Sequence, residues 1–188
     1  KIFTLRSYGN FLKLYDVPRA DALPFYDVLK IRQGYRCRPH ALTTRQITLL
    51  FKAIDDRTIL GIRDYAVYAL MYQTGLRVGE VHSLDLDSVD LENQQLHVIG
   101  KGNKRRQLHL TNEMCQILSQ YLAVRHFFRN SQNSSALFIS KKGNRLAIRT
   151  MEDNFKKMLH KANLNTYFNV TCHSLRHSFA SHLNDKEV

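Results

Sequence analysis

The chain has 188 residues, with 28 Lys and Arg against 16 Asp and Glu, giving a formal net charge of +12. Hydrophobic residues make up 44% of it, enough to build a core and too many for wholesale disorder. The longest apolar runs, such as Tyr65–Tyr72, are far short of a bilayer span, which excludes an integral helical membrane protein.

In chain order, Leu5, Tyr8, Phe11, Leu12 and Tyr15 recur at helical spacing, and Pro18 and Pro24 end that helix. Residues 23–41 are mixed and basic, punctuated by Gly34 and Pro39, and read as a linker. Thr43, with Gln46 three residues on, forms a capping box ahead of Ile47, Leu50, Phe51 and Ile54, so a helix begins there. An apolar helix is predicted from about Leu60 to Gln73, closed by a left-handed cap at Gly75. A short helix over Val78–Leu84 follows. Leu96–Ile99 and Gln107–Leu110 are predicted strands flanking the turn Gly100-Lys101-Gly102-Asn103, a β-hairpin. Thr111 caps a helix carrying Met114, Ile117, Leu118, Tyr121 and Leu122. Ser131–Ser135 reads as a polar loop, Leu137-Phe138-Ile139 as a third strand, and Lys141-Lys142-Gly143-Asn144 as a basic turn. Helices at about Thr150–Ala162 and Ser174–Leu183 complete a mainly helical α+β fold with a small antiparallel three-stranded sheet.

The charge is unevenly placed. Residues 1–42 carry +5, residues 43–92 carry −3 and residues 93–188 carry +10. This points to a polyanion, nucleic acid first, approached by the C-terminal half with help from the N-terminal arm. No basic amphipathic helix with a dense apolar face supports a membrane-surface alternative. Cys37, Cys115 and Cys172 are widely spaced and never form a CxxC pair, which fits free thiols in a reducing, cytoplasmic compartment.

Four segments carry candidate chemistry. In Thr74-Gly75-Leu76-Arg77-Val78-Gly79-Glu80 the carboxylate of Glu80, three residues from Arg77, is placed to orient the guanidinium; the same residues also read as a helix cap beside a surface arginine. Gly100–Arg106 holds Lys101, Lys104, Arg105 and Arg106 on a turn suited to DNA phosphates, or equally to solvent. It lacks the Gly-Lys-Ser/Thr close of a P-loop. In His173-Ser174-Leu175-Arg176-His177-Ser178-Phe179, His173 and Arg176 share a helix face, suited to a developing oxyanion, while Leu175, Phe179 and Leu183 form the core face. Lys141 and Lys142 are placed for phosphate positioning. No Cys pair or carboxylate near His173, His177 and His182 completes a metal site. Asp85, Asp87, Asp90 and Glu92 read as a solvated turn rather than a two-metal centre.

Taken together, Thr74–Glu80, Val98–Lys104 and His173–Ala180 resemble the catalytic domain of tyrosine recombinases, the phage-integrase-type site-specific enzymes, and are most similar to Xer-like bacterial members. The resemblance covers about Leu42 to the end. It implies that Arg77 and Arg176 clamp the non-bridging oxygens of a scissile phosphate and that Lys101 protonates the leaving 5′ oxygen. His173 would assist proton transfer and Glu80 would support the architecture. It implies no cofactor, double-stranded DNA as partner, and a tetramer on DNA. Residues 1–22 would be the last helix of a core-binding domain, and 42–188 a catalytic domain truncated before its nucleophile. The family continues to a His or Trp and an attacking Tyr, whereas this sequence runs twelve residues past Arg176, with all nine tyrosines ahead of His173. Cys172 stands where relatives often carry Pro. A non-catalytic DNA-binding relative is the competing reading; a type IB topoisomerase is a weaker match.

Overall fold

The computed structural model describes residues 41–100, 102, 104–164 and 170–184. The helix expected at 4–15 and the linker before residue 41 lie outside this range, as do Lys101 and Tyr167.

Helix α1, Thr44–Lys52, starts as its sequence dictates. The Thr43 side chain accepts from the Gln46 backbone N–H, and the Gln46 side chain accepts from Thr43 N at 2.9 Å. Ile47 and Leu50 form its buried stripe. Helix α2, Ile59–Thr74, is apolar on nearly every side, with Ala66 to Met71 buried in an unbroken run. Such a helix belongs in the middle of a domain, and α2 packs against α4 (Asn112–Arg125) on one side and α6 (Cys172–Asn184) on the other. Tyr68 anchors it, its hydroxyl donating to the Met151 carbonyl at 2.7 Å in helix α5, Ile148–Lys161. Gly75 ends α2 at φ +64°, its N–H bonded to Met71 O, and the short α3, Val78–His82, restarts at once.

The sheet runs in the order β1 (Val89–Asp90), β2 (Gln95–Ile99), β3 (Arg105–His109), antiparallel throughout. Three strands are present, but the third is not the one expected. Leu137–Ile139 makes one isolated bridge, Ile139 to Arg145, and the residue before it, Ala136, makes another to Asp85. The backbone of Leu137–Ile139 is satisfied instead by Leu84, by Leu146 and by the Tyr121 hydroxyl. The true third strand lies in the acidic segment read as a solvated turn, where Val89 pairs with Leu96. β3 also starts two residues earlier than the apolar pattern indicated, so Arg105 and Arg106 lie on the strand rather than the turn. The turn closes with Gly100 N bonded to Lys104 O at 2.8 Å.

Helix α6 begins at Cys172, which is buried; burial pushes its thiol up to about 12. Of the expected core face of α6, Leu175 is fully buried and Phe179 half-buried, but Leu183 is 47% exposed. The inner face instead continues through Ser174 and Ser178, small enough for close approach; Ser178 Oγ accepts from Leu42 N at 2.8 Å.

Candidate active site

The turn between α2 and α3 places the first arginine. Gly75 reverses the chain in a conformation that L side chains rarely adopt, and Leu76 is buried, so Arg77 is delivered to the surface as the N-cap of α3. Glu80 then folds back. Its Oε2 accepts from Arg77 N at 2.8 Å, and its Oε1 accepts from Arg77 Nη1 at 3.3 Å. The expected pairing of Arg77 with Glu80 is therefore present, with an addition: Arg106 Nη1 donates to the same Oε1 at 3.0 Å. Burial pushes the Glu80 carboxyl up, but the bonds from Arg106 and the Arg77 backbone, with both positive charges, outweigh it and hold it below the usual glutamate range.

Helix α6 brings the second arginine to the same turn. Arg176 Nη1 donates to the carbonyl oxygen of Gly75, two residues from Arg77. Phe179, one α-helical turn further along, lies against Gly75 so closely that a Cβ there would meet its Cδ1 at 2.7 Å. His173 is exposed at the start of α6, and lines an open surface depression of about 570 Å³ with Arg77, Glu80, Ile99, Gly100 and Ile148. Three segments distant in sequence thus converge: the Gly75–Glu80 turn, the hairpin end at Gly100 and the His173–Arg176 helix.

The remaining expected site residues fall differently. Lys101 lies outside the described residues, though its neighbour Gly100 lines the depression. Lys104, Arg105 and Arg106 are all exposed on the hairpin, and Arg106, its side chain 39% exposed, reaches Glu80. Lys141 and Lys142 are exposed on a turn closed by Gly143 N to Ser140 O, and do not line the depression. Among the described residues no three His, Cys, Asp or Glu side chains come together as a metal site. No tyrosine lines the depression either. Tyr68 and Tyr121 are buried with their hydroxyls donating to backbone carbonyls, and burial pushes Tyr121 up to about 12; Tyr72 bonds His182 Nδ1 at 2.9 Å.

Sequence reasoning missed the Gly75 carbonyl as a partner for Arg176, because a backbone acceptor leaves no residue signature. It also missed Arg145, whose Nη1 donates to His82 O and Leu84 O, both at 2.9 Å, fixing the end of α3. The Arg106–Glu80 bond had a signal: extending the strand alternation back from Leu108 puts Arg106 on the inner face.

The domain is mainly helical with a three-stranded antiparallel sheet, and it carries one arginine on the α2–α3 turn and a second bonded to that turn from α6. Residues 40–188 match the phage integrase family, and the chain belongs to that family. The tyrosine recombinase XerC of Alcanivorax borkumensis is 37% identical over 181 residues, covering 96% of this chain and 57% of the relative. XerC of Neisseria gonorrhoeae is 34% identical over 184 residues, covering 97% and 58%. This chain therefore spans a little under three fifths of the length of these relatives. Among solved structures, XerA recombinase superposes with a TM-score of 0.68 at 27% identity, over 97% of this chain and 68% of that one. XerH, solved bound to a palindromic difH substrate in a post-cleavage complex, gives 0.68 at 25% identity, over 84% and 47%.

Proposed function

We propose that this chain supplies the phosphate-activating part of a site-specific DNA recombinase, which cleaves and rejoins duplex DNA by transesterification through a 3′-phosphotyrosyl intermediate. The observation that carries this is that Arg77 and His173 line one depression at the end of the β2–β3 hairpin while Arg176, on the helix of His173, bonds the Gly75 carbonyl in the turn that carries Arg77. In-line attack on a phosphodiester builds negative charge on the two non-bridging oxygens. Two guanidinium groups held before substrate arrives stabilise that charge without reorganising. Arg77 and Arg176 take this role; Glu80 holds Arg77. Lys101 donates a proton to the 5′ oxygen as it leaves, and His173 moves a proton at the attacking hydroxyl. The phosphotyrosyl ester keeps the energy of the broken bond, so the 5′ hydroxyl can reverse the attack and rejoin the strand with no nucleotide or other cofactor.

Lys104, Arg105, Lys141 and Lys142 lie in the +10 half of the chain and fit backbone contacts that position the duplex. Residues 42–188 act as the catalytic domain, after a core-binding segment at 1–22 and a linker at 23–41, and recombination proceeds in a tetramer on DNA. The free thiols of Cys115 and Cys172 fit the cytoplasm.

The test is covalent adduct formation by the full-length protein on a duplex carrying its recombination site. The unsubstituted protein should form a 3′-linked protein–DNA adduct. Arg77→Ala and Arg176→Ala should form none while keeping duplex affinity within about tenfold. Salt-sensitive duplex binding with no adduct from the unsubstituted protein would instead support a non-catalytic DNA-binding protein.

A further inference from the structure

Arg106 is the hairpin cation whose surroundings differ from those of its neighbours. In an antiparallel pair, residues directly opposite one another point to the same face. Arg106 is opposite Val98 and Arg105 is opposite Ile99; Val98 is buried and Ile99 is 51% exposed. Arg106 therefore belongs to the inner face with Val98 and Leu108, and Arg105 to the outer one. Gly100 leaves it room: a Cβ there would come within 3.1 Å of Arg106 Nη1. At the end of this path the guanidinium meets Glu80, whose side chain is 9% exposed and whose Oε1 also accepts from Arg77.

We propose that Arg106 is a positioning residue rather than a DNA contact: it neutralises Glu80 from the hairpin side and thereby leaves Arg77 oriented but available for phosphate. With Arg106 removed, Arg77 would be the sole guanidinium facing a nearly dry carboxylate, and Glu80 would compete with DNA for it. The same bond ties β3 to the turn that carries Arg77. The inference rests on the recombinase reading for the use made of Arg77, but the Arg106–Glu80 link itself does not depend on it.

The experiment uses the chain with Arg106→Met, Arg106→Lys and, for comparison, Lys104→Met. The Glu80 carboxyl is titrated by 13C NMR, and affinity for duplex DNA is measured across a salt series. Arg106→Met should raise the Glu80 midpoint, Arg106→Lys should largely restore it, and the log–log salt slope should stay unchanged. Lys104→Met should lower that slope by about 1. In the full-length protein, Arg106→Met should slow adduct formation by about tenfold or more, with Arg106→Lys recovering most of it. A slope reduced by about 1 in Arg106→Met, with the Glu80 midpoint unmoved, would overturn the proposal and make Arg106 a phosphate contact. If the unsubstituted chain binds no duplex, the recombinase reading fails separately, and the Glu80 titration still decides the link. Arg106→Gln carries the test should Arg106→Met not fold: a Glu80 midpoint unmoved there, assigned against Glu80→Gln reference spectra, with a slope reduced by about 1 would count equally against it.

Discussion

Arg125 and Arg77 present the same guanidinium in opposite situations. Arg125 is buried and donates to four backbone carbonyls, those of Leu137, Ser131, Ser134 and Ala136. Arg63, likewise buried, donates to Ile139 O and to Asp64. Together they hold the irregular segment 131–139 in place, where a strand would have used sheet partners. Arg77 is 55% exposed, and among the described residues its side chain bonds only Glu80; that of Arg176 bonds only Gly75 O. A guanidinium offers five donors. Where acceptors of the protein use nearly all of them, the residue is part of the architecture. Where one bond fixes direction and the other donors are not taken up by the protein, it is ready for a planar anion. The two arginine regions differ in which acceptors are left to come from outside.

That difference can be broken most severely at Arg125. Arg125→Ala strands the carbonyls of Ser131, Ser134 and Ala136 and leaves that of Leu137 to Tyr121 alone, and should lower the stability of the chain by about 3 kcal/mol or more in urea unfolding. A loss below about 1 kcal/mol would mean the carbonyls find other partners. Gly75→Ala comes next: the left-handed backbone and the Phe179 ring should together cost about 2 to 3 kcal/mol, and adduct formation by the full-length protein should fall because the acceptor of Arg176 moves. Arg77→Ala should cost less than about 1 kcal/mol, as exposed pairs do, while removing adduct formation; a stability loss matching that of Arg125→Ala would erase the distinction. The smallest effect is one of pH. Glu80 titrates below its ordinary value of 4.5, so its contribution is complete above that value and is lost as pH falls through the lower folded value. The stability difference between the chain and Glu80→Gln should therefore shrink on acidification from pH 6 to about pH 3, as read by urea unfolding.

Much of the fold was legible because its signals are local. Thr43 with Gln46, the Gly75 cap and the Thr111 cap each act within four residues, and the helices begin or end at them. The site motifs were legible for the same reason, since Arg77 and Glu80 meet within one turn. What was not legible depends on partners far along the chain. Leu137–Ile139 has a strand's composition, yet becomes irregular because Arg125 and Tyr121 take its carbonyls. Val89–Asp90 has a turn's composition, yet becomes a strand because Leu96 and Gln95 lie beside it. Leu183 fits the spacing of a core face, but the last turn of α6 meets the domain through His182 on Tyr72 instead, and Leu183 is left in solvent. The approach of Arg176 to Gly75 spans 101 residues, a distance over which no periodicity speaks.

The most direct measurement is hydrogen exchange at the arginine Nε–H groups, followed by 15N NMR with and without a DNA duplex. Arg63 and Arg125 donate from Nε to Asp64 and Leu137, and should exchange slowly in both states. Arg77 and Arg176 should exchange quickly alone and slow markedly as duplex is added, because phosphate supplies the missing acceptors. Unchanged exchange at both Arg77 and Arg176 in the presence of saturating duplex would contradict the claim that these two residues form the phosphate clamp.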